Sequence, residues 1–161
     1  MSEPPEPPNP RTDPDVDLRV PADRRELTVR PVTVLGTIAA GGVLGALTRA
    51  GLQHAIPHPP TGFPWATFAI NTSGCLLIGM LMATLGHLGG GHPLARPFLG
   101  VGVLGGFTTF SAYAVDVQQA IVAGAPGTAL AYLAATVLGA LVAVGLGDAV
   151  TAALLRRGSA R

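Results

Sequence analysis

The chain has 161 residues, 48% of them hydrophobic and 12% charged, with a formal net charge of +1 and a mean hydropathy of +0.47. That is too apolar for a soluble domain of this size, and the near-neutral balance excludes a nucleic-acid surface. Cys75 is the single cysteine, which excludes an intramolecular disulfide and a cysteine metal centre and leaves it as a small packing residue.

Residues 1–31 are rich in proline and acid, and residues 1–30 hold seven of the nine acidic residues. Such a segment cannot bury enough apolar surface to offset its ordering entropy, so we expect a disordered, solvated tail. It lacks the basic start and immediate apolar run of a signal peptide. Val20 to Leu27 fit a short amphipathic turn on a membrane surface. Residues 32–156 then read as one membrane domain, and residues 157–161 as a C-terminal tail.

The first apolar run spans Thr33 to Leu52. Gly41 and Gly45 are four apart, which opens two gaps on one helix face for another backbone. Arg49 follows one turn later. It either snorkels to the interface or lines an aqueous vestibule that attracts anions. Gln53 to Gly62 is a proline-rich loop whose histidines, His54 and His58, read as solvated rather than metal-bound.

The second run is Phe63 to Leu85, with Trp65 as an interfacial aromatic at its start. Asn71 lies within it. An asparagine in hydrocarbon must be hydrogen-bonded, either as interhelical glue or as an amide donor to a polar path. Gly86 to Pro97 forms the second loop.

The third run, residues 98 to 119, reads FLGVGVLGGFTTFSAYAVDVQQ. It places Gly105-Gly106 beside Thr108, Thr109 and Ser111 in mid-span. Glycine pairs weaken a helix, and freed carbonyls are tolerated in lipid only under cover of protein or a cavity. We therefore expect a spanning helix broken at its centre, as in membrane ion sites. The bland reading is that these small residues mark close helix packing. Asp116 reads as a helix-end contact. Gly124 to Gly127 is a tight turn, and the fourth run spans Thr128 to Leu155, with Tyr132 and Thr136 on one face.

Each run can cross a bilayer, which takes about 20 residues. The fold class is therefore an all-α membrane protein with four transmembrane helices. A single copy has little interior in which to hide a central break, so we expect an oligomer with the broken segments at its interface. The membrane region carries no carboxylate pair, no nucleophile beside a base and no metal-ligand cluster, which argues against an enzyme. Uncharged groups at depth suit a passive ion path. Hydroxyls and amides can coordinate an anion, carbonyl oxygens can hold a hard cation, and aromatic edges can face an anion. Phe110 and Tyr113 are three apart and can share that path. A small proton-coupled multidrug-type exporter, the alternative, needs a carboxylate at membrane depth.

Three motifs, GGVLGALTR (Gly41 to Arg49), FAINTSG (Phe68 to Gly74) and GGFTTFSAY (Gly105 to Tyr113), resemble the small fluoride channels of the CrcB or Fluc family. The similarity covers roughly residues 33 to 155. It implies an antiparallel, dual-topology dimer in the plasma membrane, a passive fluoride-selective path that exports fluoride, and a structural sodium ion at the dimer centre. By the same resemblance, the sodium carbonyls fall on Gly105 and Thr108, the pore amide on Asn71 and the aromatic box on Phe110 and Tyr113. The vestibule arginine falls on Arg49, and the polar track begins at Tyr132 and Thr136, with Thr109 and Ser111 beside the path. Tyr113 stands where the family has phenylalanine, and Ala140 and Val144 stand where hydroxyls are expected.

With the N-terminus inside, Arg24, Arg25, Arg30, Arg96, Arg156, Arg157 and Arg161 lie on one side and only Arg49 towards the other. That bias predicts a fixed orientation with both termini cytoplasmic. The partner would then be the chain itself, as an antiparallel homodimer, or an oppositely inserted paralogue.

Overall fold

The computed structural model describes residues 31–89 and 92–159. The tail at 1–30, its surface turn and its arginines lie outside the described residues, as does Arg161. Helix α1 is Pro31–Ala55 and α2 is Trp65–His87. The third segment comprises α3, a wide π-type helix at Arg96–Leu104, then the single turn α4 at Gly105–Phe107, then α5 at Phe110–Val122. Helix α6 is Pro126–Ser159, 34 residues long. Among the described residues, four segments are long and apolar enough to cross a membrane, the third counted as Arg96–Val122.

The boundaries follow local chemistry. Gly124 takes φ +78° after α5, the left-handed value that stops a helix and that glycine adopts without strain. Pro126 then opens α6, where its fixed φ suits the first turn. Helix α6 runs past Leu155 to Ser159, so the helix includes part of the segment expected as a tail. Along the helices, Thr37, Thr48 and Thr84 donate their hydroxyls to the carbonyls four residues back. That satisfies each hydroxyl within its own helix and lets it face hydrocarbon.

Two seams of backbone contact hold the bundle. Helix α1 packs mainly on α3 and α4, and α2 mainly on α6, with α5 resting on α6. In the first seam, a Cβ on Gly41 would meet Gly102 Cα at 3.0 Å, and one on Gly45 would meet Phe107 N at 2.7 Å. In the second, a Cβ on Gly79 would meet Asp148 N at 3.0 Å, and one on Gly147 would meet Met80 N at 3.1 Å. The small residues act here as packing sites, the close approach that replaces hydrophobic drive within a bilayer.

The surface is inverted relative to a soluble protein. Among the described residues the buried hydrophobic set is small, consisting of Ala66, Ile70, Tyr113, Ala120, Ala129, Tyr132 and Ala143. Large side chains such as Leu47, Val101, Leu138 and Leu154 point outward. Apolar residues facing outward suit a hydrocarbon solvent.

Candidate functional site

The sequence points to an interruption at the centre of residues 98–119, around Gly105-Gly106, Thr108, Thr109 and Ser111; within that stretch Gly105 is helical, with φ −65° and ψ −36°. The backbone leaves helical values later, at Thr108 (φ −76°, ψ 158°) and Thr109 (φ −151°, ψ 119°). Gly106 instead serves the seam, since a Cβ on it would meet Gly42 Cα at 3.0 Å, whereas one on Gly105 would meet only Gly100 O at 3.9 Å.

Asn71 explains why the extended pair is tolerated. Thr109 N–H donates to Asn71 Oδ1 at 2.8 Å, and Asn71 Nδ2 donates to Thr109 O at 3.0 Å. One side chain on α2 thus satisfies both backbone groups of a residue 38 positions away. This pairing fixes the orientation of the amide, because only its oxygen can accept from an N–H. It also leaves one amide hydrogen unspent. On the other flank, Thr109 caps α5, its Oγ1 accepting from Ala112 N–H at 3.1 Å, as expected of an N-cap threonine. Ser111 joins through its hydroxyl, 3.2 Å from Thr109 Oγ1. Thr108 Oγ1 returns to Leu104 O at 3.0 Å.

These bonds have a consequence for two carbonyls. In a continuous α-helix, Gly105 O would accept from Thr109 N–H and Thr108 O from Ala112 N–H. Both donors are given elsewhere, to Asn71 Oδ1 and Thr109 Oγ1. Oxygen atoms relieved of their ladder donors are the ligand type a hard cation takes. Among the described residues, no group of three or more His, Cys, Asp or Glu is placed to hold a metal.

The interruption opens on a groove of ≈ 440 Å³, whose lining includes Asn71, Gly105, Thr108, Thr109, Phe110, Tyr113 and Thr136. Cys75 and Ala140 also line it, so the lone cysteine faces this groove and the α6 wall turns apolar after Thr136. Thr136 Oγ1 is buried and has no hydrogen-bond partner. An unpaired buried hydroxyl is costly and marks a place where a polar ligand would be favourable.

Phe110 is 80% exposed and Tyr113 8%, with their rings 5.7 Å apart. The Tyr113 hydroxyl donates to Leu133 O at 3.4 Å, which supplies the partner this tyrosine needs. Tyr132 lies behind it, ring to ring at 5.2 Å, and is not part of the groove lining. Arg49 stands outside the lining too; it is half-buried, with Nε lacking a hydrogen-bond partner.

Three contacts were not legible in the sequence. Phe63 packs on Tyr132 edge-on at 5.4 Å, extending the aromatic row beyond the groove. His58, expected to be solvated, has Nε2 3.8 Å from Asp116 Oδ1. Asp116, expected as a helix-end contact, also accepts from the Tyr132 hydroxyl at 3.4 Å. The row of aromatics through FPW and AYL at positions 63–65 and 131–133 was the available signal for the first; the second depends on where the loop folds and the third on how α5 packs against α6.

Comparison with known proteins gives a consistent result. Residues 36–148 match the family described as CrcB-like protein, Camphor Resistance (CrcB). The chain is 54% identical over 128 residues to a protein of Thermobifida fusca named Fluoride-specific ion channel FluC 2, covering 80% of this chain and 95% of that one. It is 47% identical over 124 residues to the protein of the same name from Streptomyces avermitilis, covering 77% and 78%. A Streptomyces coelicolor protein named Fluoride-specific ion channel FluC 1 is 45% identical over 137 residues, covering 85% of this chain and 89% of its own length.

Proposed function

The chain belongs to the CrcB-like family, and from that premise we propose that it is a passive, fluoride-selective channel that lowers cytoplasmic fluoride by letting it leave the cell. Its relatives are named as ion channels, and the protein is not an enzyme. The observation that carries the reading is the Asn71 clamp on Thr109, which builds a polar interruption at membrane depth beside a groove walled by Phe110, Tyr113 and Thr136.

In this reading, fluoride passes along the groove. The spare amide hydrogen of Asn71, the unpaired hydroxyl of Thr136 and the hydroxyls of Thr109 and Ser111 offer donors. The electropositive edges of Phe110 and Tyr113 flank the ion. Arg49 draws anions towards the bundle end. Tyr132 continues the path towards the loop between α1 and α2. None of these groups carries a fixed negative charge, so a small anion is not repelled at depth. Gly105 and Thr108 would hold a structural sodium ion through their carbonyls. A bound cation there would fix the interruption and add positive potential beside the path.

The groove is open on one side of the bundle, with Phe110 exposed in it. A second copy in antiparallel orientation, or an oppositely inserted paralogue, would close it. We place the protein in the plasma membrane with both termini cytoplasmic. The proton-coupled exporter is less well supported, because Asp116, the acidic residue nearest the groove, is tied to His58 and Tyr132.

The test is fluoride efflux from liposomes containing the purified chain, in sodium buffer. We expect fast fluoride efflux with negligible chloride efflux. Efflux only after co-expression with a paralogue would establish the heterodimer, and no efflux in either case would refute the channel.

A further inference from the structure

Donors are unevenly spread along the groove. Asn71 and Thr136 line it from α2 and α6. Thr136 is only 7% exposed, and its Oγ1 has no hydrogen-bond partner. Thr37, Thr48, Thr84 and Thr108 instead return their hydroxyls to the carbonyls four residues back. A buried hydroxyl that forgoes this bond points to a ligand in the groove.

Helices α2 and α6 run in the same direction. A Cβ on Gly139 would meet the Phe68 ring at 3.3 Å, and one on Gly147 would meet Met80 N at 3.1 Å. Cys75 is one turn beyond Asn71, about 6 Å along the axis and on the same face. It therefore lies level with α6 between Gly139 and Gly147, past Thr136. Segment α3 comes down the other wall in the opposite sense. Thr108 neighbours Gly74, whereas Gly100 neighbours Ile78 and Met82. The lining of this half of the groove includes Ile78, Gly100, Leu104 and Ala140, none of which has a polar side chain. Cys75 lines it as well, as a free, half-buried thiol.

We propose that the Cys75 S–H is a donor in the anion path. It takes over from Asn71 and Thr136 on the side of the α2 C-terminus, where α6 offers Ala140 in place of a hydroxyl. An S–H is a weak donor, but on this half it is the side-chain hydrogen an anion meets. The thiol works in its neutral form, since a thiolate would repel the ion. Cys75 thus divides the groove into a strongly donating stretch at Asn71 and a weakly donating one beside it, which suits an ion that must leave as readily as it enters.

The inference rests on the channel reading, and one set of measurements separates the two. Fluoride efflux from liposomes is compared for the unaltered chain, Cys75→Ser, Cys75→Ala and the double variant Cys75→Ala with Ala140→Ser, each first checked for monodisperse assembly. Cys75→Ala should lower efflux by about two- to tenfold, the equivalent of one neutral hydrogen bond. Cys75→Ser should stay within about twofold of the unaltered chain. The double variant should recover most of the loss, because it returns a donor to the same level from the facing helix. A thiol that served only packing would not be replaced by a hydroxyl on another helix. Unchanged efflux in Cys75→Ala overturns this inference alone. So does a loss that neither Cys75→Ser nor the double variant restores. Absence of fluoride efflux from the unaltered chain, alone or with a paralogue, brings down the channel reading beneath it.

Discussion

The two glycine seams and the groove at Thr108–Thr109 use the same kinds of small and polar residue for opposite ends. In the seams, Gly41, Gly45, Gly79 and Gly147 bring backbone against backbone and leave no room for a methyl group. In the groove, the chain gives up the two ladder bonds from Thr109 N–H and Ala112 N–H, satisfies those donors through Asn71 and Thr109, and leaves space of ≈ 440 Å³. In hydrocarbon, close packing and polar satisfaction are the two available sources of cohesion. The seams supply the first, which lets the groove depart from helical geometry. Stability should therefore be concentrated in the seams and transport in the groove.

The largest effect expected is on the seam. Gly45→Ala puts a Cβ against the backbone at Phe107 N and Val103 O, where no side chain can yield. We expect a cost of about 1–3 kcal/mol or more, read as a lowered melting temperature or lost monodisperse protein in detergent. Gly36→Ala and Gly51→Ala meet nothing within 4 Å and should be neutral. If Gly45→Ala were as stable as these controls, the seam would not be the source of cohesion.

Asn71 lies where the two regions meet, so its variants should affect both. Asn71→Leu strands Thr109 N–H and C=O, at about 1–3 kcal/mol each. Asn71→Asp can still accept from Thr109 N–H but cannot donate to its carbonyl, and it sets a negative charge in an anion path. We expect fluoride efflux to fall by at least about tenfold in both, the equivalent of one hydrogen bond to a charged group. Assembly should survive in Asn71→Asp. Normal efflux in that variant would remove Asn71 from the path and leave it as glue between α2 and Thr109.

What the sequence makes legible follows from how local the cause is. The spacing of Gly41 and Gly45 states a face, and the structure places α3 and α4 on it. The α2–α6 seam carried a similar signal, with Gly139, Ala143 and Gly147 each four apart, that was not singled out. The exact residues of the extended pair were not legible, because they are set by a side chain 38 positions away. A glycine pair suggests where a helix can yield; here the yielding residues are threonines and the glycines stay helical. His58 and Phe63 were missed for the same reason. Their partners, Asp116 and Tyr132, are chosen by the loop's landing place on the bundle, which no periodicity reports. The groove residues could be gathered from sequence only through the resemblance of three motifs, since hydroxyl and aromatic side chains at helical spacing read equally well as packing.

Phe110 offers a cleaner separation than Asn71. Its ring is 80% exposed and contributes little to the seams, so Phe110→Ile should change stability by no more than about 0.5 kcal/mol. Loss of its aromatic edge should reduce fluoride efflux by about two- to tenfold, matching the 0.5–1.5 kcal/mol typical of aromatic contacts. A stability loss comparable to Gly45→Ala would mean that Phe110 belongs to the packing rather than to the path.

The smallest effect expected is at Tyr113, and it tests which part of that side chain matters. The ring is buried against Phe110 and Tyr132, while the hydroxyl reaches the Leu133 carbonyl at 3.4 Å. At that length the hydrogen bond is weak. The Leu133 carbonyl lies in a helix, where it has its own ladder donor. Tyr113→Phe should therefore cost less than about 1 kcal/mol and leave fluoride efflux within about twofold, because the edge that lines the groove is retained. Tyr113→Ile should lower efflux as Phe110→Ile does. If Tyr113→Phe instead lost efflux as strongly as Asn71→Asp, the hydroxyl would turn from Leu133 into the groove during passage, and the path would be lined there by a donor rather than by an aromatic edge.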